Sequence, residues 1–253
     1  MKIKKSSINR VTAASLLVAV GIIYGDIGTS PLYALRAIVG ERNISELLVY
    51  GGASCIFWTL CFQTTVKYIF LTLKADNQGE GGVFSLYALI RRYGKYLAVP
   101  TILGATTLLA DGIITPPISV ASAIEGLNSV PALSGFIVPG NGLTIGIVVI
   151  ILSGLFFFQR YGTQSIGSTF GPIMTIWFAM LFVFGFREIM HFPDVIKALN
   201  PHYAIRLLTE YPQGFWLLGA VFLCTTGAEA LYSDLGHCGI KNIRLTWIFV
   251  KTS

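Results

Sequence analysis

Charge is scarce in this sequence. Asp, Glu, Lys and Arg make up 12% of its 253 residues, where a soluble domain carries about 25%. A chain this long cannot clothe a globular surface with so little charge. Cysteine is scarce as well. The four that occur (Cys55, Cys61, Cys224 and Cys238) have no CxxC or CxxH spacing. That excludes a disulfide-stapled scaffold and leaves them as small buried hydrophobes. The 27 glycines show no triplet period, so a collagen-like chain is excluded too. No HExxH or GxSxG element appears. The glycine-rich stretch Asp76–Gly82 lacks the Lys-Ser/Thr of a phosphate loop and follows no strand pattern; it reads as a cytoplasmic loop. What the sequence has is apolar surface: 54% hydrophobic residues and a mean hydropathy of +0.70. Disordered chains are poor in such residues. An all-α polytopic membrane protein remains.

A spanning helix needs about 20 mostly apolar residues. Residues 11–38 qualify, interrupted by Asp26 and Arg36. Residues 47–66 are uncharged and the run extends to about Leu73. Residues 97–124 hold one charge, Asp111. Pro131, Pro139 and Gly140–Gly142 break the next uncharged stretch, which places a short span at about 142–159. Further spans fall at about 167–186 and 211–228, the last continuing to Leu235 through Glu229 and Asp234. A seventh run, Ile243–Ser253, is too short to cross. The expectation is six spans and a stub. Val83–Tyr93 is helical in pattern and leads to Arg91, Arg92 and Lys95 at the membrane surface. Trp58, Trp177, Trp216 and Phe156–Phe158 read as lipid-facing or packing residues.

The basic residues orient the chain. With the N-terminus in the cytoplasm, the inside segments hold Lys2, Lys4, Lys5, Arg10, Lys74, Arg91, Arg92, Lys95, Arg160, Lys241 and Arg244, eleven in all. The outside segments hold Arg36, Arg42, Arg187, Lys197 and Arg206, five in all. Lys67 and Lys251 fall in or near spans. The net charge of +6 is thus a cytoplasmic anchor, and nucleic acid has no place in the account. No small-residue cleavage site follows the basic stretch 1–10, which is expected to be a cytoplasmic N-terminus rather than a signal peptide.

Ionisable groups in hydrocarbon are costly and usually face a bundle interior or a water-filled path. Asp26 lies near the middle of the first span, in Tyr24-Gly25-Asp26-Ile27-Gly28-Thr29-Ser30-Pro31. Two glycines, Thr-Ser and a proline are poor helix chemistry. Ser30 and Pro31 read as the cap and first turn of a second half-helix, so the span is expected to be broken. The sixth span has a matching interruption at Thr225-Thr226-Gly227-Ala228-Glu229, followed by Asp234 and His237, which read as interfacial. Interruptions at corresponding places in two halves point to a secondary transporter's binding site. On the third span Asp111, Thr115 and Ser119 are spaced i, i+4, i+8 and share one helix face. Pro116 and Pro117 would free the carbonyls of Gly112 and Ile113. Such a stripe of hard oxygen suits a hard cation. Glu125, near the outer end of that span, suits either an entry vestibule or a plain interfacial position.

The segment Gly21–Ala34 (GIIYGDIGTSPLYA) closely resembles the signature of the KUP/HAK/KT potassium uptake permeases. So do Asp76–Leu86 (DNQGEGGVFSL), Leu109–Glu125 (LADGIITPPISVASAIE) and Gly227–His237 (GAEALYSDLGH). The four segments follow the family's order, and the resemblance runs from about Val11 to the chain's last residues. It implies a LeuT-like, APC-superfamily fold of two inverted five-helix repeats with helices one and six broken. On that reading residues 11–253 hold the first repeat, the start of the second and a truncated seventh span. The C-terminal half and the cytoplasmic domain are absent, and such a fragment is expected to be inactive by itself. The implied activity is potassium import as a proton:potassium symporter, not an enzyme. No cofactor or resident metal is implied beyond the transported potassium ion and proton. By motif match, Asp26 and Glu229 are proton-coupling residues, and Tyr33, Asp111, Thr115, Ser119 and Thr226 are potassium-site residues. The implied setting is a multi-pass protein of the bacterial inner membrane, surrounded by lipid and forming a homodimer. Two other functions compete. An amino-acid permease of the same fold would not need the Asp111/Thr115/Ser119 stripe. An intramembrane aspartyl protease would need two aspartates sharing a proton; Asp26 and Asp111 are a formal pair, but the YD and GxGD elements are missing.

Overall fold

The computed structural model describes residues 11–40, 42–133, 135–138, 140–159 and 163–252, with the side chains of 158–168 left aside. The basic stretch Lys2–Arg10, Arg160, Pro139 and the Phe158 side chain therefore lie outside the described residues. Among the described residues every regular element is helical. Among them five helical stretches are long and apolar enough to cross a membrane: Ala13–Val39, Glu46–Lys74, Lys95–Ser129, Thr169–His191 and Gly214–Ser233. The fourth expected span is a helix too, but its described apolar part, Gly142–Phe157, is shorter.

The first span is two helices, α1 (Ala13–Ile27) and α2 (Ser30–Val39). Thr12 caps α1 in a reciprocal pair with Ser15, satisfying two amide groups at the helix start. The break falls at Gly28–Thr29, where the sequence chemistry puts it. The cap residue of α2 is Thr29 rather than Ser30, and Pro31 stands in the first turn, where its missing N–H costs nothing. The second span begins as α3 (Glu46–Thr59), capped by Ser45. It then continues from Leu60 to Leu71 as a π-helix. After a loop, α4 (Val83–Ile90) leads to α5 (Ala98–Gly126), which stays helical through Pro116 and Pro117. α6 (Gly142–Gln159) packs on α5, and α7 (Thr163–His191) packs along α1. A short amphipathic helix, α8 (Pro201–Glu210), lies against α3. The sixth span comprises α9 (Leu217–Phe222), a 3₁₀ turn at Leu223–Thr225, and then α10 (Ala230–Ser233) and α11 (Leu235–Cys238). The stub is α12 (Ile240–Thr252). Its 13 residues reach about 20 Å at 1.5 Å each, short of a hydrocarbon layer of about 30 Å.

These helices build two separate cores, and the two broken spans divide between them. One core gathers Ile23 and Tyr24 of α1, Phe178 of α7, Leu231 of α10, and Ile243 and Trp247 of α12. The other gathers Ala34 and Ile38 of α2, Leu48 and Cys55 of α3, Leu207 of α8, and Val221 of α9. In α1 the buried residues Ala19, Val20, Ile23, Tyr24 and Ile27 recur at helical spacing on one face. Spans one and six therefore run antiparallel, α1 beside α10 and α11, and α2 beside α9. Tyr24 fastens the stub to α1: its hydroxyl donates to the Ile243 carbonyl at 3.0 Å and accepts from Thr246 Oγ1 at 3.1 Å. Cys55, Cys224 and Cys238 are buried, Cys61 is half-buried, and all four are free thiols.

The α1–α7 crossing depends on one residue without a side chain. A Cβ on Gly171 would strike the backbone carbonyl of Leu17. Backbone cannot move aside as a side-chain tip can, so Gly171→Ala should part the helices. The expected cost is about 1–3 kcal/mol, as for other overpacked contacts, read as a lower unfolding midpoint of the purified chain in detergent. Gly185, on the same helix, has nothing within 4 Å of the added atom. Gly185→Ala should be neutral or stabilise by about 0.5–1 kcal/mol.

Candidate functional site

The two helix breaks face each other. Gly227 has φ +87°, a conformation that favours glycine. A Cβ there would run into Asp26 and the Ile27 amide nitrogen, so both the backbone shape and the close approach require its absence. Ser30, fully buried, ties the breaks together. Its hydroxyl donates to the Asp26 carbonyl at 2.6 Å and lies 3.2 Å from the Thr226 carbonyl of the sixth span. Tyr33 Oη lies 2.8 Å from Ser30 Oγ. The Gly28 carbonyl, left over at the first break, accepts from Trp177 Nε1 of α7 at 3.1 Å. Trp177 is thus a partner for freed backbone, a role that its place in an apolar run does not reveal.

The third expected element stands beside this junction. Thr115 Oγ1 donates to Asp111 Oδ1 at 3.1 Å, so these two share a face of α5 as their spacing predicts. Thr115 is buried. Ser119, one turn on, has a buried hydroxyl with no hydrogen-bond partner among the described residues. Proline nitrogens cannot donate, so Pro116 and Pro117 leave the Gly112 and Ile113 carbonyls without their helical partners. Asp111 faces one cavity together with Glu229 of the sixth span, and Asp26 lies against Gly227 at that span's break. Acidic groups from spans one, three and six therefore gather near the junction.

A cavity of about 560 Å³ opens there, lined by Asp111, Thr226 and Glu229. Its other wall is the π-helix, which contributes Gln63, Lys67 and Tyr68. Sequence reasoning missed these three. Lys67 carried the signal: it is the lone charge in an apolar run, and such residues face a bundle interior or a water path. Helical periodicity could not assign its face, because a π-helix closes i→i+5 turns and shifts the phase.

Glu125 is not part of this cluster. It pairs with Arg36 of α2, 3.6 Å away. Asp234 and His237 form their own pair at 3.8 Å on the far side of α10 from the break. The loop Asp76–Gly82 packs against the same stretch: Gly81 meets the Tyr232 carbonyl, and the Tyr232 hydroxyl donates to the Ala75 carbonyl at 2.6 Å. Trp58 also has a partner, donating to the Leu199 carbonyl at 3.1 Å, while Trp216 is exposed.

Comparison with known proteins places this arrangement. Residues 13–253 match the family of the K+ potassium transporter integral membrane domain. The chain is 56% identical to a probable potassium transport system protein Kup of Flavobacterium johnsoniae over 247 residues, 97% of this chain and 37% of that protein. It is 59% identical to the Cytophaga hutchinsonii protein of the same name over 247 residues, 96% of this chain and 36% of that one. A Clostridium perfringens relative with that name is 51% identical over 257 residues, covering 99% and 39%. The chain thus spans a little over a third of the length of the curated relatives it matches. No solved structure matches it. These likenesses give the amino-acid permease and aspartyl protease readings no support. With four signature segments in order and a family match from residue 13 onward, the chain belongs to the KUP/HAK/KT potassium transporter family and carries part of its integral membrane domain.

Proposed function

We propose that these residues build one side of a potassium pathway, in a membrane domain that imports potassium together with protons. The observation that carries this reading is the meeting of two helix breaks beside a cavity lined by Asp111, Thr226 and Glu229. Carboxylate, hydroxyl and unpaired carbonyl oxygens are what replaces a potassium ion's hydration shell. Asp111, Thr115, Ser119, Thr226 and Tyr33 supply the oxygen, and Asp26 and Glu229 handle the proton. Glu125, held by Arg36, lines the outer mouth.

The architecture behind this proposal is the LeuT-like inverted repeat, with spans one to five as the first repeat and span six opening the second. Its support is the antiparallel packing of two interrupted spans, the feature that transporter folds place at their binding sites. Residues 11–253 form the membrane part, and residues 1–10 a cytoplasmic N-terminus in the cell membrane of a bacterium. The excess of basic residues on that side supports the orientation. In this reading the protein works as a homodimer in lipid and needs no cofactor.

Transport is tested in a chimaera in which this chain replaces the matched segment of the Flavobacterium johnsoniae relative, expressed in cells without other potassium uptake. Asp26→Asn should abolish concentrative rubidium uptake driven by a pH gradient while the protein still reaches the membrane. Full pH-driven accumulation by that variant would remove Asp26 from proton coupling.

The stripe makes a graded expectation. Losing a hydrogen bond from a charged group costs about 1.5–3 kcal/mol, and from a neutral one about 0.5–1.5. Asp111→Asn should therefore raise the KM for rubidium about 10–100-fold, and Thr115→Val or Ser119→Ala about 2–10-fold. Leu109→Ala, on the exposed face of α5, serves as the control. Unchanged KM in the Asp111 variant would make the stripe structural.

A further inference from the structure

Lys67 is a cation on the wall of a cavity built from acidic and hydroxyl groups. Asp111 and Glu229 line the same cavity. Yet among the described residues Lys67 has no ion pair within 4.0 Å. Its ammonium instead lies over the ring of Tyr68, 5.2 Å from the centroid, and Tyr68 is an electrostatic neighbour of Glu229. A cation–π contact of this kind is a weak berth. A lysine is a compact charge on a flexible four-carbon stem, so the same residue can leave the ring and enter the cavity without moving the backbone.

The π-helix decides that this residue faces the cavity at all. Over Leu60–Leu71 the wide turn brings Gln63, Lys67 and Tyr68, at i, i+4 and i+5, to one side. The neighbouring Thr64 hydroxyl is fully buried with no partner among the described residues, and Ile69 is buried in the first core. The segment is therefore packed on its far side, while its one cation rests on the Tyr68 ring on the cavity side.

The geometry points to Lys67 as a tethered competitor of the transported ion. From its berth on the Tyr68 ring the ammonium swings to Asp111 and Glu229 as a potassium ion leaves, helping to expel it, and goes back to the ring when the next ion enters. This inference rests on the potassium-pathway reading above and adds a specificity-setting residue to it. A competitor of this kind weakens substrate binding and speeds release. Its removal should therefore split the two kinetic constants, which loss of a purely structural lysine would not do.

The test uses the chimaera described above and measures initial rates of rubidium uptake per folded transporter. Lys67→Met removes the charge and keeps the bulk. Its KM should fall about fivefold or more, and its maximal rate should fall with it, as for coupled binding events of ordinary size. Lys67→Arg keeps the charge and should hold the KM near the parent's. Where the methionine variant is not made in amount, Lys67→Gln carries the same expectation. A working parent with an unchanged or raised KM in the neutral variants overturns this inference alone. A parent that takes up no rubidium overturns the potassium-pathway reading, and this inference with it.

Discussion

The structure depends on the meeting of two helix breaks. Every interruption of a helix strands backbone donors and acceptors, and in hydrocarbon each stranded group costs several kcal/mol. A membrane protein can hold such a break only if something nearby replaces the lost bonds. Here the breaks of spans one and six lie against each other, and Ser30 reaches from one toward the other, to the Asp26 and Thr226 carbonyls. Trp177 covers the Gly28 carbonyl from a third helix. Gly227 makes the approach possible because any side chain there would collide with Asp26.

The division into two cores follows from that junction. A continuous helix would carry one apolar face along its whole length and bury it in one place. Because span one is broken at Gly28–Thr29, α1 buries Tyr24 with Trp247 on one side, and α2 buries Ile38 with Leu48 on the other. Span six divides at Thr226–Gly227 in the opposite chain direction. Both breaks thus fall where one core passes into the other: Ile27 and Ala228 close the first, and Cys224 ends the second. The cavity is lined from both sides of the sixth span's break, by Phe222 and Thr225 before it and by Ala228 and Glu229 after it.

The parts of this arrangement that were legible in the sequence are those where a residue is expensive. Asp26, Asp111 and Glu229 stand out because a charge in an apolar run is costly. Pro31 and Gly227 stand out because they are poor helix formers. The i, i+4 relation of Asp111 and Thr115 needs only a regular helix, and α5 is one despite its two prolines. What stayed hidden involves cheap residues or irregular geometry. Trp177 is at home in lipid, so nothing in its neighbourhood announces a hydrogen bond to Gly28. Gln63 and Tyr68 sit on a π-helix, where the helical period that assigns faces no longer holds. The stub looked like an overhang, but Ile243, Trp247 and Val250 are buried in the first core, because a short helix can bury one face without crossing anything. The packing of α8 on α3 involves Gly51 and Leu207, a small residue against a large one, and neither is unusual by itself.

Charge at the junction can be followed one step further. Two acidic side chains, Asp111 and Glu229, line one cavity, and neighbouring negative charges repel. A cation placed between them offsets that repulsion. The cavity beside them has room for a cation, and Lys67 already brings one within the same walls. In the proposed pathway a proton, the lysine and the ion would be three positive charges contending for one pair of acidic groups. Mutual exclusion would then couple ion to proton without a separate relay, because the pair gains little from a second positive charge once the first has neutralised it. Asp26, on α1, lies against Gly227 at the sixth span's break. In that proposed site a change in the bend at Gly28–Thr29 would alter its distance to Asp111 and Glu229, and with it the balance among the three charges.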